Sequence, residues 1–320
     1  MAATENNNRR AVVALGGNAI TVKHLEDTIA NQFANTRRSL TSIVELARQG
    51  YDLCITHGNG PQVGNALLRV ELTRGKAPVL PLGICVADTE GGMGYMIEQS
   101  LQNRLDKEGI RRMVCTIISQ MVVAPDDPSI KNPTKYVGQF YTEAEARALG
   151  AEQGWTVKKD ADRGWRRVVP SPIPLTCVEK DVIRLLLDNH FIVVAAGGGG
   201  IPVYVDQQLG YEGVDAVIDK DRASAVLARE IGAEFLLILT SVDQVAVNFG
   251  KPNQSYLGAV TLSEMERYFR EGHFPPGSMG PKVEAAIDFI RNGGRQVIIT
   301  SLELAAEALA GRAGTRIHPE

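Results

Sequence analysis

Four clusters of glycine residues are the parts of this 320-residue sequence best suited to chemistry. Three follow a short run of apolar residues, and the fourth precedes a helical pattern. Because glycine has no side chain, ligand oxygens can approach the backbone N–H groups, and a nest of such groups holds an anion. A single Gly-Gly pair is ordinarily a tight turn, but four clusters favour a phosphate site. The clusters are Gly16-Gly17-Asn18, Gly58-Asn59-Gly60, residues 197–200 and residues 277–280.

Three lysines accompany these clusters: Lys135, Lys220 and Lys282. Phosphoryl transfer spreads negative charge over the transferred group, so its catalysts are positioned cations, with Mg²⁺ bridging the nucleotide phosphates. Any one of the 34 basic residues is ordinarily an exposed surface residue. Asp219 and Asp221 are equally explained as carboxylates at a helix N-terminus. The set as a whole favours phosphoryl transfer.

Several named sites are excluded by the sequence. It has no Gly-x-x-x-x-Gly-Lys-Ser/Thr motif and no protein-kinase His-Arg-Asp or Asp-Phe-Gly motif. The cluster at Gly58 and Gly60 lacks the third glycine of a dinucleotide fingerprint, since Val63 stands there, so a Rossmann dehydrogenase is disfavoured. No nucleophilic triad is evident, and the five histidines lack metal-ligand spacing. We interpret His57 as a residue that shapes its loop.

Apolar runs and helical patterns alternate along the chain and must position these residues. The runs contain almost no polar residues, which predicts an α/β fold whose parallel sheet is covered by helices on both faces. In such a sheet the glycine loops meet at the carboxyl edge of the strands. The predicted strands are 12–15, 52–56, 113–118, 191–196, 235–240 and 296–300, and the predicted helices are 26–49, 93–108, 177–189, 221–231 and 282–291.

Residues 124–174 break this alternation. They hold six of the 15 prolines together with a basic, tryptophan-bearing patch at residues 158–167. A segment of that length is too long for a simple loop, so we predict an inserted subdomain or a lid that projects from the sheet. Its charges are equally typical of a solvated face.

Composition limits the partners. The net charge of −3 argues against a dedicated nucleic-acid binder. The four cysteines are far apart and mostly within apolar runs, which indicates buried thiols in a reducing, cytoplasmic compartment. No segment is predicted to span a membrane, and residues 1–10 are predicted to be a disordered tail.

The glycine clusters and lysines belong to seven longer motifs. They are residues 12–19, 57–64, 132–135, 164–172, 197–202, 216–221 and 277–282. Together these motifs resemble carbamate kinases, in order and from about residue 10 to residue 317. The chain lacks the lysine that acetylglutamate, aspartate and uridylate kinases carry just before the first Gly-Gly, and Ala14-Leu15 stands there instead. The resemblance implies that Lys135 takes that role.

The resemblance implies the amino-acid kinase fold, a three-layer αβα sandwich with a mainly parallel sheet and a projecting subdomain. It implies an acceptor-binding lobe at residues 11–175, which includes the projecting residues 124–174, and a nucleotide-binding lobe at residues 176–320. It also implies Mg²⁺ and a homodimer. The implied reaction is reversible phosphoryl transfer between ATP plus carbamate and ADP plus carbamoyl phosphate, which makes ATP in arginine or purine nitrogen catabolism.

The resemblance also implies site residues, by their positions in the motifs. Catalysis is assigned to Lys135, Lys220, Lys282 and Asp221, with Asp221 organising the lysines. Carbamate and the transferred phosphoryl group are assigned to Gly16, Gly17, Asn18, Gly58 and Asn59. The nucleotide is assigned to Lys220, Asp221, Thr240, Val242, Asp243, Asn248, Gly277, Met279 and Lys282. No residue is assigned to a metal.

One segment departs from the family pattern. Carbamate kinases tend to carry Met-Ser/Thr-Gln-Gly where this chain has Asp88-Thr89-Glu90-Gly91. Two added negative charges near an acceptor loop are expected to weaken anion binding. The alternatives therefore stay open: a kinase of another small carboxylate on the same fold, or a non-catalytic metabolite-binding homologue. Retention of all three lysines disfavours the second alternative.

Overall fold

A computed structural model describes residues 9–17, 20–21 and 26–320 of the chain. The strands are β1 Arg10–Leu15, β2 Asp52–His57, β3 Val114–Thr116, β4 Gln120–Val123, β5 Lys135–Tyr141, β6 Thr156–Lys159, β7 Trp165–Val169, β8 Pro174–Cys177, β9 Ile192–Val194, β10 Ile201–Asp206, β11 Gly210–Gly213, β12 Phe235–Thr240, β13 Ala246–Val247, β14 Ser255–Tyr256, β15 Ala259–Thr261, β16 Gln296–Ser301 and β17 Thr315–His318. The helices are α1 Ile29–Ser39, α2 Thr41–Arg48, α3 Gly60–Leu72, α4 Leu82–Lys107, α5 Pro128–Lys131, α6 Glu143–Gln153, α7 Lys180–Asp188, α8 Lys220–Glu230, α9 Leu262–Arg270, α10 Met279–Arg291 and α11 Ala305–Leu309.

The described residues form an eight-stranded main sheet in the order β15-β17-β16-β12-β1-β2-β9-β3. Neighbouring strands are parallel except for β16 and β17. Alternate residues of β1 belong to opposite cores: Val12 packs with α7, α8 and α10, whereas Val13 packs with α2, α4 and α11. Because both faces of each central strand are buried, β1 and β12 are apolar almost throughout, and the polar Asp52, Thr56 and His57 of β2 are buried as well. This is the predicted sandwich.

Most predicted elements lie where the sequence placed them, but three differ. Arg10, predicted as the end of a tail, is the first residue of β1, and residues 1–8 of the predicted tail lie outside the described part. The predicted helix 26–49 is two helices that meet at Leu40. In α1 the hydroxyls of Thr36 and Ser39 donate to the carbonyls of Gln32 and Thr36, a pattern that bends helices.

The third difference is α4, which begins at Leu82 rather than at Met93. Pro81 precedes its first turn, where a missing N–H is not needed, and the Gly91-Gly92 pair lies inside the helix rather than before it. The segment 88–91 is therefore helical, which fixes where each of its side chains points.

The projecting segment is a folded unit rather than a proline-rich loop. Strands β5, β7 and β6 form an antiparallel sheet, and α6 packs on it with a Thr142–Glu145 capping box at its start. Arginines stack on its two tryptophans: Arg147 lies 5.0 Å from the Trp165 ring centroid and Arg167 lies 5.1 Å from that of Trp155. These stacking contacts help to stabilise the subdomain, whose apolar core is small.

A second small sheet, β11-β10-β4-β8, continues from the turn that follows β9. The main sheet is continuous through both predicted lobes, so the division at residue 175 stays a prediction. None of the helices in the described residues is long and apolar enough to cross a membrane.

Candidate active site

The turns that follow β1 and β2 meet at the carboxyl edge of the main sheet, as predicted. The N–H of Gly16 donates to the carbonyl of Leu239 on β12, and the N–H of Gly58 donates to that of Leu15. A Cβ atom on Gly58 would lie 3.1 Å from the nitrogen of Gly17 and 3.4 Å from Cδ of Lys220. Glycine thus favours this close approach, in which a lysine lies against the two turns. Asn18 lies outside the described residues.

The turn at residues 197–200, which we call the glycine turn, lies directly under Asn59. Ala196 and Gly198 both have positive φ angles, of 50° and 66°. A Cβ atom on Gly198 would lie 2.1 Å from the side-chain nitrogen of Asn59. That amide is buried and donates to Oγ1 of Thr89 on α4 at 3.0 Å. The side chain of Asn59 is therefore held by its packing against Gly198 and by its hydrogen bond to Thr89.

A buried carboxylate joins two of the predicted catalytic lysines. Asp221 hydrogen-bonds through Oδ1 to Lys220, and its Oδ2 lies 3.1 Å from Nζ of Lys282. Its side chain is 3% exposed, while those of Lys220 and Lys282 are 11% and 17% exposed. The backbone of Asp221 is held as well, because its N–H donates to Oδ1 of Asp219, the residue that caps α8. Helix α8 thus places two ammonium groups from different elements at one point.

The third lysine reaches this cluster from the projecting subdomain. Lys135 is the first residue of β5, and its Nζ lies 3.0 Å from Oδ2 of Asp219. Burial acts to raise the pKa of Asp219, but the charge and hydrogen bond of Lys135, together with the nearby charge of Lys220, outweigh it and lower the pKa to about 2. Asp219 is therefore ionised throughout the physiological range, and it ties the subdomain to the start of α8.

Next to Lys282 the structure contains a cavity of about 730 Å³, a volume suited to a nucleotide-sized ligand. It is lined by Thr240, Ser241, Val242, Asp243, Gln244, Ala246, Phe249, Tyr256, Pro275, Ser278, Met279 and Lys282. Five residues predicted to contact the nucleotide are among them: Thr240, Val242, Asp243, Met279 and Lys282. Asn248 and Gly277 do not line the cavity, but each is next to a residue that does, Phe249 and Ser278 respectively.

Tyr256 lines the cavity but was not predicted from the sequence. It is 61% exposed, and it pairs with Ala246 across the short hairpin β13–β14. A single exposed aromatic residue in a polar stretch carries little signal, because the hairpin that brings it to the cavity joins residues ten positions apart.

Asp88 and Glu90 have different surroundings. Asp88 is exposed, whereas Glu90 is 1% exposed and its Oε1 accepts from the N–H of Gly197 at 2.8 Å. Burial raises the pKa of Glu90 to about 8, against the opposing effect of backbone donors at Ser119 and Gly197. The expected added negative charge therefore applies to the exposed Asp88, whereas burial favours the uncharged form of Glu90.

Comparison with known proteins identifies the group to which this arrangement belongs. The model of the amino acid kinase family matches residues 9–301. The chain belongs to the amino acid kinase family. Carbamate kinase from Pyrococcus horikoshii is 48% identical over 312 residues, which cover 97% of this chain and 99% of that protein. The structure of carbamate kinase from Giardia lamblia bound to AMP-PNP aligns with a TM-score of 0.92 at 41% identity, covering 98% of this chain and 99% of that one.

These findings confirm the resemblance to carbamate kinases, the three-layer α/β fold and the enzyme class, a phosphotransferase. The carbamate kinase-like protein YahI of Escherichia coli is 45% identical, over 96% of this chain and 98% of that protein. Named carbamate kinases and a protein named only as similar to them thus lie at comparable identity. Overall similarity therefore does not choose the acceptor, and the residues of the site have to carry that argument.

Proposed function

We propose that the chain is a carbamate kinase, which transfers a phosphoryl group reversibly between ATP plus carbamate and ADP plus carbamoyl phosphate. One observation carries the proposal. Lys220 lies against the turn at Gly58, Lys282 lines the adjacent cavity, and the buried Asp221 holds both. The carboxylate of Asp221 thus holds the ammonium group of Lys220 on the acceptor side and that of Lys282 on the nucleotide side. The AMP-PNP complex of the Giardia lamblia relative, which contains an ATP analogue, supports ATP and ADP as the nucleotides.

In the proposed mechanism, the N–H of Gly17 and the side-chain amide of Asn59 bind carbamate and the phosphoryl oxygens, at turns that Gly16 and Gly58 hold in place through their own backbone hydrogen bonds. A carbamate oxygen attacks the γ-phosphorus, and the bond to the leaving ADP oxygen breaks. Charge then develops on the phosphoryl oxygens and on ADP, where the ammonium groups of Lys220 and Lys282 offset it. Because Asp221 has already fixed both cations, little reorganisation is needed as the charge develops.

Mg²⁺ is proposed to enter with the nucleotide. Among the described residues no group of three His, Cys, Asp or Glu side chains could hold a metal ion, and Asp219 and Asp221 are both engaged by lysines. This donor set fits a cation that keeps its waters and is held by substrate phosphates rather than by a protein cage. Bound there, Mg²⁺ would supply neutralisation of the nucleotide phosphates.

The acceptor is proposed to be a small planar anion, since four arginines that could clamp a second carboxylate are engaged elsewhere or lie exposed. Arg166 is engaged in an ion pair within the projecting subdomain, and Arg167 stacks on Trp155. Arg37 and Arg38 lie exposed at the end of α1. A dicarboxylate acceptor would need a fork-shaped partner for its additional charged group.

We expect kcat/KM for transfer from ATP to carbamate to exceed that for acetate, aspartate and N-acetylglutamate by about 100-fold or more. The reason is that the turns after β1 and β2 offer N–H donors for a small anion. The measurement is ADP release with each acceptor at equal concentration, less the rate without acceptor. Efficient turnover of a dicarboxylate with none on carbamate would instead establish a kinase of another carboxylate. Nucleotide binding without turnover of any acceptor would favour the non-catalytic homologue.

Three further expectations complete the proposal. Net ATP synthesis from carbamoyl phosphate would place the enzyme in the catabolism of arginine or of purine nitrogen. The protein is proposed to be cytoplasmic, because its buried thiols suit a reducing compartment. A homodimer is proposed as well. It is supported by the main-sheet edge at β3, which is flanked by Met113 and Ile118, 60% and 50% exposed.

A further inference from the structure

Glu90 is a buried carboxyl group that the proposed mechanism does not use. It lies on α4 with Oε1 on the N–H of Gly197, the first residue of the glycine turn. Its Oε2 is buried and makes no hydrogen bond of normal geometry among the described residues, although Ser119 lies close enough to act on the pKa of the carboxyl group. No ion pair to Glu90 is found within the described part of the chain either. A buried ionised carboxylate without a cation is costly, whereas a protonated carboxyl group needs only a partner for its O–H.

His57 is a second buried polar side chain beside Gly197. A Cβ atom placed on Gly197 would lie 2.4 Å from Nε2 of His57 and 2.8 Å from Cγ of Glu90, so both side chains lie against this residue. The ring nitrogens of His57 make no hydrogen bond of normal geometry among the described residues. Burial, with the charge of Lys220 adding to it, lowers the pKa of His57 to about 4, so the ring is neutral and has an acceptor nitrogen.

The other titratable groups around Glu90 do not favour its ionised form. The charge of Glu179, which precedes α7, acts to raise the pKa of Glu90, and the buried thiol of Cys177, at the end of β8, has its own pKa raised to about 12 and is therefore uncharged. Asp88 on the same helix is exposed, and Lys220 acts on His57 from α8. Polar contacts to Glu90 come from Ser119 and Gly197, and Ser119 also accepts the N–H of Ala196. The carboxyl group therefore belongs to the set of bonds that fixes the glycine turn.

We propose that Glu90, in its uncharged form, is a positioning residue that holds the glycine turn and, through Gly198, the acceptor-binding Asn59. Ionisation of Glu90 would place an unpaired negative charge beside His57, at the base of a site that binds anions. The turn would then move or admit water, and Asn59 would lose the support it receives from Gly198. The inference rests on the proposed function, because Asn59 is assigned to the acceptor there.

Glu90→Gln is the decisive variant, because its amide oxygen can accept from Gly197 and its N–H can donate where the acid has its O–H. ATP formation from ADP and carbamoyl phosphate is measured from pH 6.5 to 9.5, with ATP quantified after transfer to one fixed pH. For the wild type kcat should fall by about tenfold from pH 7 to pH 9, as expected for loss of a required proton near pH 8. The variant should lack that fall, and Glu90→Ala should be slow at every pH.

Glu98→Gln on the same helix is the matched control and should follow the wild type. Equal alkaline loss in the wild type and in Glu90→Gln would overturn the inference. So would a Glu90→Gln enzyme that is inactive at every pH, because that result would mean that an ionised carboxylate is required. A slow Glu90→Ala enzyme with a normal Glu90→Gln enzyme is the rescue that a positioning role requires.

A second measurement separates failure of this inference from failure of the proposed function. A native pKa raised above the unfolded value means that the folded chain holds a proton that the unfolded chain releases, so stability is lost as pH rises from about 4.5 towards 8. The urea midpoint of the wild type should therefore fall over this window more than that of Glu90→Gln. If the wild type forms no ATP, the proposed function fails, and the inference about Glu90 is then decided by the urea midpoints alone. Identical midpoint profiles would overturn the inference whatever the activity.

Discussion

Replacing Lys220 or Lys282 by alanine should lower turnover by about 100-fold or more while nucleotide affinity changes much less. Both ammonium groups are assigned to oxygens whose negative charge develops during transfer, so their loss affects the transition state more than the ground state. The fold should survive, because Asp221 keeps the other lysine as its partner in each variant. The measurements are kcat for ATP formation and the dissociation constant of ADP for each purified variant.

Lys107→Ala provides the control, since this lysine is exposed near the end of α4 and far along the helix from the site. It should have wild-type turnover. If Lys220→Ala or Lys282→Ala also kept near wild-type turnover with an unchanged unfolding midpoint, the catalytic role of that lysine would be wrong.

Gly198→Ala should reduce kcat/KM for carbamoyl phosphate by about 100-fold or more, because small displacements of a positioning group cost that much. The new Cβ would lie 2.1 Å from the amide of Asn59, so Asn59 has to leave its hydrogen bond to Thr89. The φ angle of 66° adds backbone strain of about 1–2 kcal/mol. Activity with saturating ADP and the free energy of unfolding are measured together.

Gly50→Ala separates strain from displacement. Gly50 has a similar φ angle, of 80°, but a Cβ atom there would meet nothing within 4 Å. Its alanine variant should lose similar stability and keep its activity. If both variants lost only stability, the glycine turn would not be what positions Asn59.

The chemistry of the site could be predicted from the sequence because it is local. Glycines directly after apolar strands must lie at the carboxyl edge of a parallel sheet, whatever the rest of the fold. The position of Lys220 at the start of α8 follows equally from the Asp219 cap. The shared use of Asp221 by Lys282 could be expected only from the family resemblance, because 61 residues separate the pair.

Other features depend on contacts that no sequence pattern carries. The pairing of Lys135 with Asp219 requires knowing how the projecting subdomain folds, and its order comes from arginine–tryptophan stacking rather than from an apolar stripe. The burial of Glu90 depends on α4 beginning at Leu82 rather than at the predicted Met93, because only then does residue 90 lie on a helix. The boundary between α1 and α2 at Leu40 depends on side-chain hydroxyl groups that donate to carbonyls of their own helix. The spacing of apolar residues gives no sign of such bonds.

Carbamate kinase chemistry is tested most directly by ATP formation by the purified chain from ADP and carbamoyl phosphate in the presence of Mg²⁺. ATP formation should depend on both substrates, with carbamoyl phosphate consumed in equal amount once its spontaneous breakdown is subtracted. No ATP above the protein-free rate, from a folded chain that binds ADP, would contradict the assignment of this site to carbamate kinase chemistry.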